Sequence, residues 1–178
     1  MSQPPTLARK LGMTEHISPL MRKVEMLGLD ADSLEILAIQ RGCDYYANEK
    51  PRPHISIDES RLSNVELALA LLHPSLRYHP QTIRLGAAML GAQGNNPVEI
   101  AHLAAMERSE GIVRYIAECG QKFEPANSFW ERLLDYLPAL PAPKSSVVPH
   151  PTRFVAMTGI TRRGPEIVTE WIRPSRAK

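Results

Sequence analysis

Cysteine, tryptophan and phenylalanine are scarce: two, two and three residues respectively in a chain of 178. Cys43 and Cys119 can close at most one disulfide, which excludes a cystine-stapled scaffold. Neither lies in a CxxC pair or beside a basic cluster that would lower its pKa, so both read as inert buried thiols. No apolar run approaches the ~18 to 20 residues that a membrane-spanning helix needs, which excludes a helical channel. The opening residues, with Arg9 and Lys10, lead into no apolar stretch of the secretory type, and a reducing cytoplasm is the expected compartment.

Enzyme signatures are lacking as well. No GxSxG elbow, P-loop, HExxH or paired-Cys motif occurs. Gly91-Ala92-Gln93-Gly94-Asn95-Asn96 is a glycine-bearing turn without the preceding strand that a dinucleotide fold demands. His73 and His79 have no Cys or carboxylate at ligand spacing to complete a zinc site. The reading therefore leans away from an enzyme and assigns no catalytic residue, no metal and no cofactor; a cleft between helices holding His102 with Glu99 or Glu107 is the one enzymatic arrangement left open.

Neither sign of charge dominates, since 21 Lys and Arg oppose 19 Asp and Glu. The distribution is uneven, however: 14 basic and 17 acidic residues through residue 140, then 7 and 2 after it. A slightly acidic body argues against a broad phosphate-tracking groove, so polyanion contact falls to the tail.

What is present is helix-start chemistry. A small oxygen-bearing side chain accepts a first-turn N–H, and a Glu three residues later reaches back to the cap's own N–H. That spacing occurs at Asp32 and Glu35, Ser63 and Glu66, Asn96 and Glu99, and Ser128 and Glu131, at intervals of 31, 33 and 32 residues. Second helices follow around Ile83-Arg84-Leu85 and Val113-Arg114-Tyr115, and Gly91 and Gly120 are placed to end them in the left-handed conformation. The period of about 32 suits stacked helical hairpins, a short α-solenoid; an ordinary helical bundle with coincidental spacing is the alternative. The segment Val65–Leu72, apolar apart from Glu66, should be the central helix. Pro19–Leu27, with Leu20, Met21, Val24 and Leu27 on one face, should lie outside it and close at Gly28.

The expected organisation is an all-α body of antiparallel helical hairpins over residues 1–137, a proline-rich linker over 138–152, and a basic β-hairpin tail over 153–178. The linker holds Pro138, Pro141, Pro143, Pro149 and Pro151. In the tail, two β-branched stretches flank Arg162-Arg163-Gly164-Pro165.

The run from Leu7 to Ser18 resembles a DNA-binding helix-turn-helix over fewer than twenty residues, with Ala8 and Gly12 at their usual spacing and Ile17-Ser18 beyond. It departs from that pattern where geometry matters. Ile17 comes one position early after Gly12, and Pro19 sits where a recognition helix should already be running. Ser18 and Pro19 make instead a cap and first position of the next helix. The resemblance implies the alternative function, a nucleic-acid-associated regulator using this segment and the basic tail.

The leading expectation is a non-enzymatic protein-interaction or scaffold module with no membrane role. Its contact residues are Arg77, Tyr78 and His79 in the loop between the best-formed pair of helices, Arg84 and Arg114 at equivalent places in the second helices, and Arg108. Arg162, Arg163 and Trp171 of the tail complete the set. Arg, Tyr and Trp are the types that anchor interfaces, and the excess of Arg points to an acidic protein partner.

Overall fold

Residues 6–11, 18–43, 52–77, 79–143, 160–163, 166–169 and 171–174 are described in the computed structural model of the chain. Among them lie the helices α1 (Leu7–Leu11), α2 (Pro19–Met26), α3 (Ala31–Gln40), α4 (Asn64–Leu71), α5 (Pro80–Leu90), α6 (Pro97–Met106), α7 (Glu110–Phe123) and α8 (Ser128–Tyr136). The body is thus mostly helical, as the sequence pattern leads one to expect. No helix among the described residues is long and apolar enough to cross a membrane. Beyond Pro143 the description covers Trp171–Pro174 and two short segments in antiparallel register, Ile160–Arg163 and Glu166–Thr169.

The caps explain why these segments are helices, with two corrections to the expected positions. Ser63 and Glu66 form the full reciprocal box: Glu66 N–H donates to Ser63 Oγ at 3.1 Å and Ser63 N–H to Glu66 Oε2 at 2.8 Å. Asn96 caps α6 by accepting from Val98 N–H at 2.9 Å. For α3 the cap is Asp30 rather than Asp32, and for α8 it is Asn127 rather than Ser128. In both places the upstream residue is still extended while the expected one is already helical. Asp30 Oδ1 accepts from Ser33 N–H at 2.8 Å, and Asn127 Oδ1 from Phe129 N–H at 3.1 Å. Asp32, displaced into the first turn, still favours the helix N-terminus through its charge.

α4 is the centre of the core. Val65 and every residue from Leu67 to Leu72 are buried, because α4 is covered by α2, α3, α5 and α6. α3 packs on α4, α4 on α6, and α6 on α8, while α5 lies against α3 and α4 and α7 against α6 and α8. α5 approaches α4 closely because Gly86 has no side chain there: a Cβ at this position would stand 2.6 Å from Leu72 Cγ. On the outer face, α2 buries Leu20 and Val24 and leaves Met26 exposed, and Gly28 closes it at φ +73°.

Gly91 and Gly120 do not end helices in the left-handed conformation. Gly91 has φ −81°, and α7 continues past Gly120 to Phe123. Both are glycines because tryptophans lie on them. A Cβ on Gly120 would meet Trp130 Cδ2 at 2.3 Å, and one on Gly91 would meet Trp171 Cδ1 at 2.9 Å.

Candidate functional site

The loop between α4 and α5 and the turn between α6 and α7 are bolted together by buried polar groups. His73 and Glu107 are each 1% exposed, with Nε2 of the imidazole 3.3 Å from Oε2 of the carboxylate. Ser75 N–H donates to His73 Nδ1 at 3.1 Å. A backbone amide can only donate, so Nδ1 is the acceptor and the ring proton sits on Nε2, facing Glu107. The same carboxylate takes the Ser18 hydroxyl and Leu20 N–H at 3.1 Å, while Ser18 Oγ accepts from Met21 N–H at 2.8 Å. Glu107 therefore neutralises the N-terminal end of α2, where unpaired N–H groups favour a negative charge. A further tie comes from Leu7 N–H, which donates to Leu76 O at 2.8 Å, beside the bridge between Thr6 and Arg77.

Ser18, Glu107 and His73 do not form a hydrolytic triad. The carboxylate lies between the hydroxyl and the imidazole, so the imidazole does not face the Ser18 oxygen, and all three side chains are buried. The chemistry is structural: it holds two connections and one helix end in a fixed relation.

Of the expected contact residues, Arg77 and Arg108 emerge exposed from this junction. Arg77 follows the turn closed by Leu76 N–H on His73 O, and Arg108 adjoins Glu107. No described residue forms an ion pair or side-chain hydrogen bond with either. Arg108 holds φ +54°, the conformation glycine takes after a helix, with Ser109 N–H returning to Ala104 O at 2.9 Å. His79 stands at the N-cap position of α5 without a side-chain cap bond and is 58% exposed at its side chain, with Nδ1 3.8 Å from Glu35; Glu35 also accepts the Thr82 hydroxyl. Tyr78 lies outside the described residues.

The other expected contacts are distributed differently. Arg114 is engaged within the body, with Nε 2.9 Å from Glu118 Oε1 and Nη1 donating to Pro138 O at 3.1 Å, so it closes the end of α8. Arg84 is half-buried on α5. The backbones of Arg162 and Arg163 belong to the paired segments, and their side chains lie outside the description.

Trp171, expected as an anchor for a partner, is 2% exposed and anchored to its own body. Its ring lies 4.9 Å from that of Trp130 at 63°, and its Nε1–H donates to Ala87 O at 3.1 Å. Glu124 gathers the surrounding donors: Trp171 N–H at 3.0 Å, Trp130 Nε1–H at 2.8 Å, and Arg173 through Nη1 at 2.7 Å and through Nη2. Burial pushes the Glu124 carboxyl up, but these hydrogen bonds and the guanidinium charge outweigh it and hold the group at about 2. Arg173 Nε completes the contact by donating to Gly91 O at 2.9 Å.

Sequence reasoning placed Ser18 as the cap of α2, as found, but missed Glu107, Glu124 and Arg173 as organising residues. A signal existed for the two acids: each is the C-cap of a helix, α6 and α7 respectively, where the dipole disfavours a negative charge unless outside donors converge on it. Burial raises Cys119 to about 11, in keeping with an unreactive thiol. Among the described residues no three His, Cys, Asp or Glu side chains converge as a metal-binding group. In comparisons with known proteins, the chain matches no family model, no curated protein and no solved structure.

Proposed function

We propose that this chain is a non-enzymatic protein-interaction module, a short α-solenoid that presents Arg77, His79 and Arg108 at one end to an acidic protein surface. The observation that carries this reading is Arg108. A non-glycine residue in the left-handed region costs roughly 1 kcal/mol, and here it is an exposed arginine on a junction stiffened by Ser18, His73 and Glu107. Strain retained at a solvent-facing cation on a rigid support fits selection for contact better than selection for folding.

The solenoid reading is supported by caps at Asp30, Ser63, Asn96 and Asn127 and by the succession of α3, α4, α6 and α8, each packed on the next. In this reading each unit leaves an apolar face that its neighbour covers. The tail is a basic β-hairpin, Ile160–Arg163 against Glu166–Thr169 with Arg163 opposite Glu166, and it adds Arg162 and Arg163 to the contact surface.

The test is a photo-crosslinking amino acid placed at Arg77 or Arg108, with Glu131 on α8 as the control position, in a native lysate with and without nuclease treatment. The expected result is a protein adduct from the first two positions, mapped to an Asp- and Glu-rich segment and lost in Arg77→Ala/Arg108→Ala chains of unchanged thermal stability. Adducts equal at all three positions would overturn the site. Adducts that vanish with nuclease and weaken steeply with salt would move the reading to nucleic acid. That alternative has less support, because the end of α2, which a recognition helix would turn to the bases, is occupied by the Glu107 carboxylate.

A further inference from the structure

We propose that the Trp171–Arg173 segment is exchangeable: the groove on α5, α7 and α8 accepts it from a second copy of the chain, and reciprocal exchange closes a symmetric dimer. The groove is built for this short sequence. Gly91 and Gly120 supply the space for the two indoles, and Ala87 O and Gly91 O take the indole N–H of Trp171 and the Nε–H of Arg173. Glu124 takes the Trp171 amide and both terminal nitrogens of Arg173. All of these contacts join tail to body, so a tail arriving from another molecule finds the same partners.

Two further features permit exchange as well as an internal strap. Residues 144–159 alone reach about 50 Å at full extension, against a radius of gyration of about 14 Å for a body of this size, so the tail can span to a neighbour. The charges also complement in trans as in cis, since residues 141–178 carry 7 basic and 2 acidic side chains and residues 1–140 carry 14 and 17. A tethered tail has an effective concentration near ~1 mM, so the monomer dominates at micromolar concentration. The exchanged dimer contains two complete docks and the same contacts per chain, and a two-fold axis relates them.

Charge reversal separates the two modes. Alone, Glu124→Arg and Arg173→Glu each place like charges in the groove and release their own tail. Mixed in equal amounts, they can re-form the native Glu124–Arg173 contact only by exchange, the tail of the Glu124→Arg chain entering the groove of the Arg173→Glu chain. The expected result in sedimentation velocity is a dimer in the mixture at a concentration where each variant alone is a monomer. Monomers alone in the mixture would overturn the proposal. Circular dichroism checks that each variant folds. Should either fail, the wild-type chain decides, sedimented from about 10 µM to about 1 mM to bracket the tether's effective concentration. A dimer that grows with concentration and is dissolved by excess peptide of residues 166–178 supports exchange, and a monomer throughout overturns it.

Discussion

Three single residues of the body should respond to substitution with opposite signs. Gly111 and Gly120 share α7, but a Cβ on Gly111 meets nothing within 4 Å, whereas one on Gly120 falls inside the Trp130 ring system. Gly111→Ala should therefore stabilise the chain by about 0.5 to 1 kcal/mol through reduced backbone entropy of the unfolded state. Gly120→Ala should destabilise it by about 1 to 3 kcal/mol through overpacking, despite the better helix former. Urea unfolding of both variants reads the two signs. Arg108→Gly should raise stability by about 1 kcal/mol in the same assay by relieving its left-handed backbone, while weakening the partner contact proposed for it. Gly91 and Gly120 stand out in the sequence as glycines, but whether a glycine turns the chain or makes room depends on what lies against it. The tryptophans that need the room come from α8 and from the tail, so no local pattern could separate the two uses.

At the scale of elements, helix ends proved the most informative and the least exactly placed. The capping chemistry was legible at all four starts, yet two caps lie one or two residues upstream of the expected position, because neighbouring Asp, Asn and Ser side chains compete for the same N–H groups. Helix C-termini hold the residues that join elements. Glu107 receives the Ser18 hydroxyl and Leu20 N–H and lies 3.3 Å from the buried His73 imidazole. Glu107→Gln keeps the shape but offers one acceptor oxygen to these donors, and should cost about 3 kcal/mol. The expected signature is a lower urea midpoint at unchanged slope, which leaves the compactness of the denatured chain out of account. His73, in the loop marked in the sequence as a contact site, belongs to this internal joint, and the exposed contribution of that loop falls to Arg77 and His79.

For the molecule as a whole, the attachment of the tail has a defined pH dependence. Glu124 is held at about 2 in the docked chain, against an ordinary value of 4.5. A carboxyl depressed on docking stabilises the docked form fully above its ordinary value, and that stabilisation fades as pH falls from about 4.5 toward 2. The indole N–H resonance of Trp171 should thus keep its docked position from pH 8 to 5 and move toward that of a free indole below pH 4.5, a shift that Glu124→Gln should abolish by removing the titrating group. A resonance that moves between pH 7 and 6 would point to a different titrating group. The opposite charge balance of body and tail was visible in the sequence, and it agrees in sign with the Glu124–Arg173 contact. Which acid meets which arginine was not visible, since those partners stand 49 residues apart.

Taken alone, the sequence determined the helical class, the central place of α4, the reciprocal cap of Ser63 and Glu66 and the turn at Gly28. These follow from local periodicity and from side chains that bond their own backbone within a few residues. Only the tertiary structure decided that Trp171 is spent on its own body, that Gly91 and Gly120 are clearances, that Arg114 closes a helix end, and that Glu107 and Glu124 are joints. Burial and long-range hydrogen bonding depend on which elements meet, and a residue's neighbours across the fold leave no trace in its neighbours along the chain.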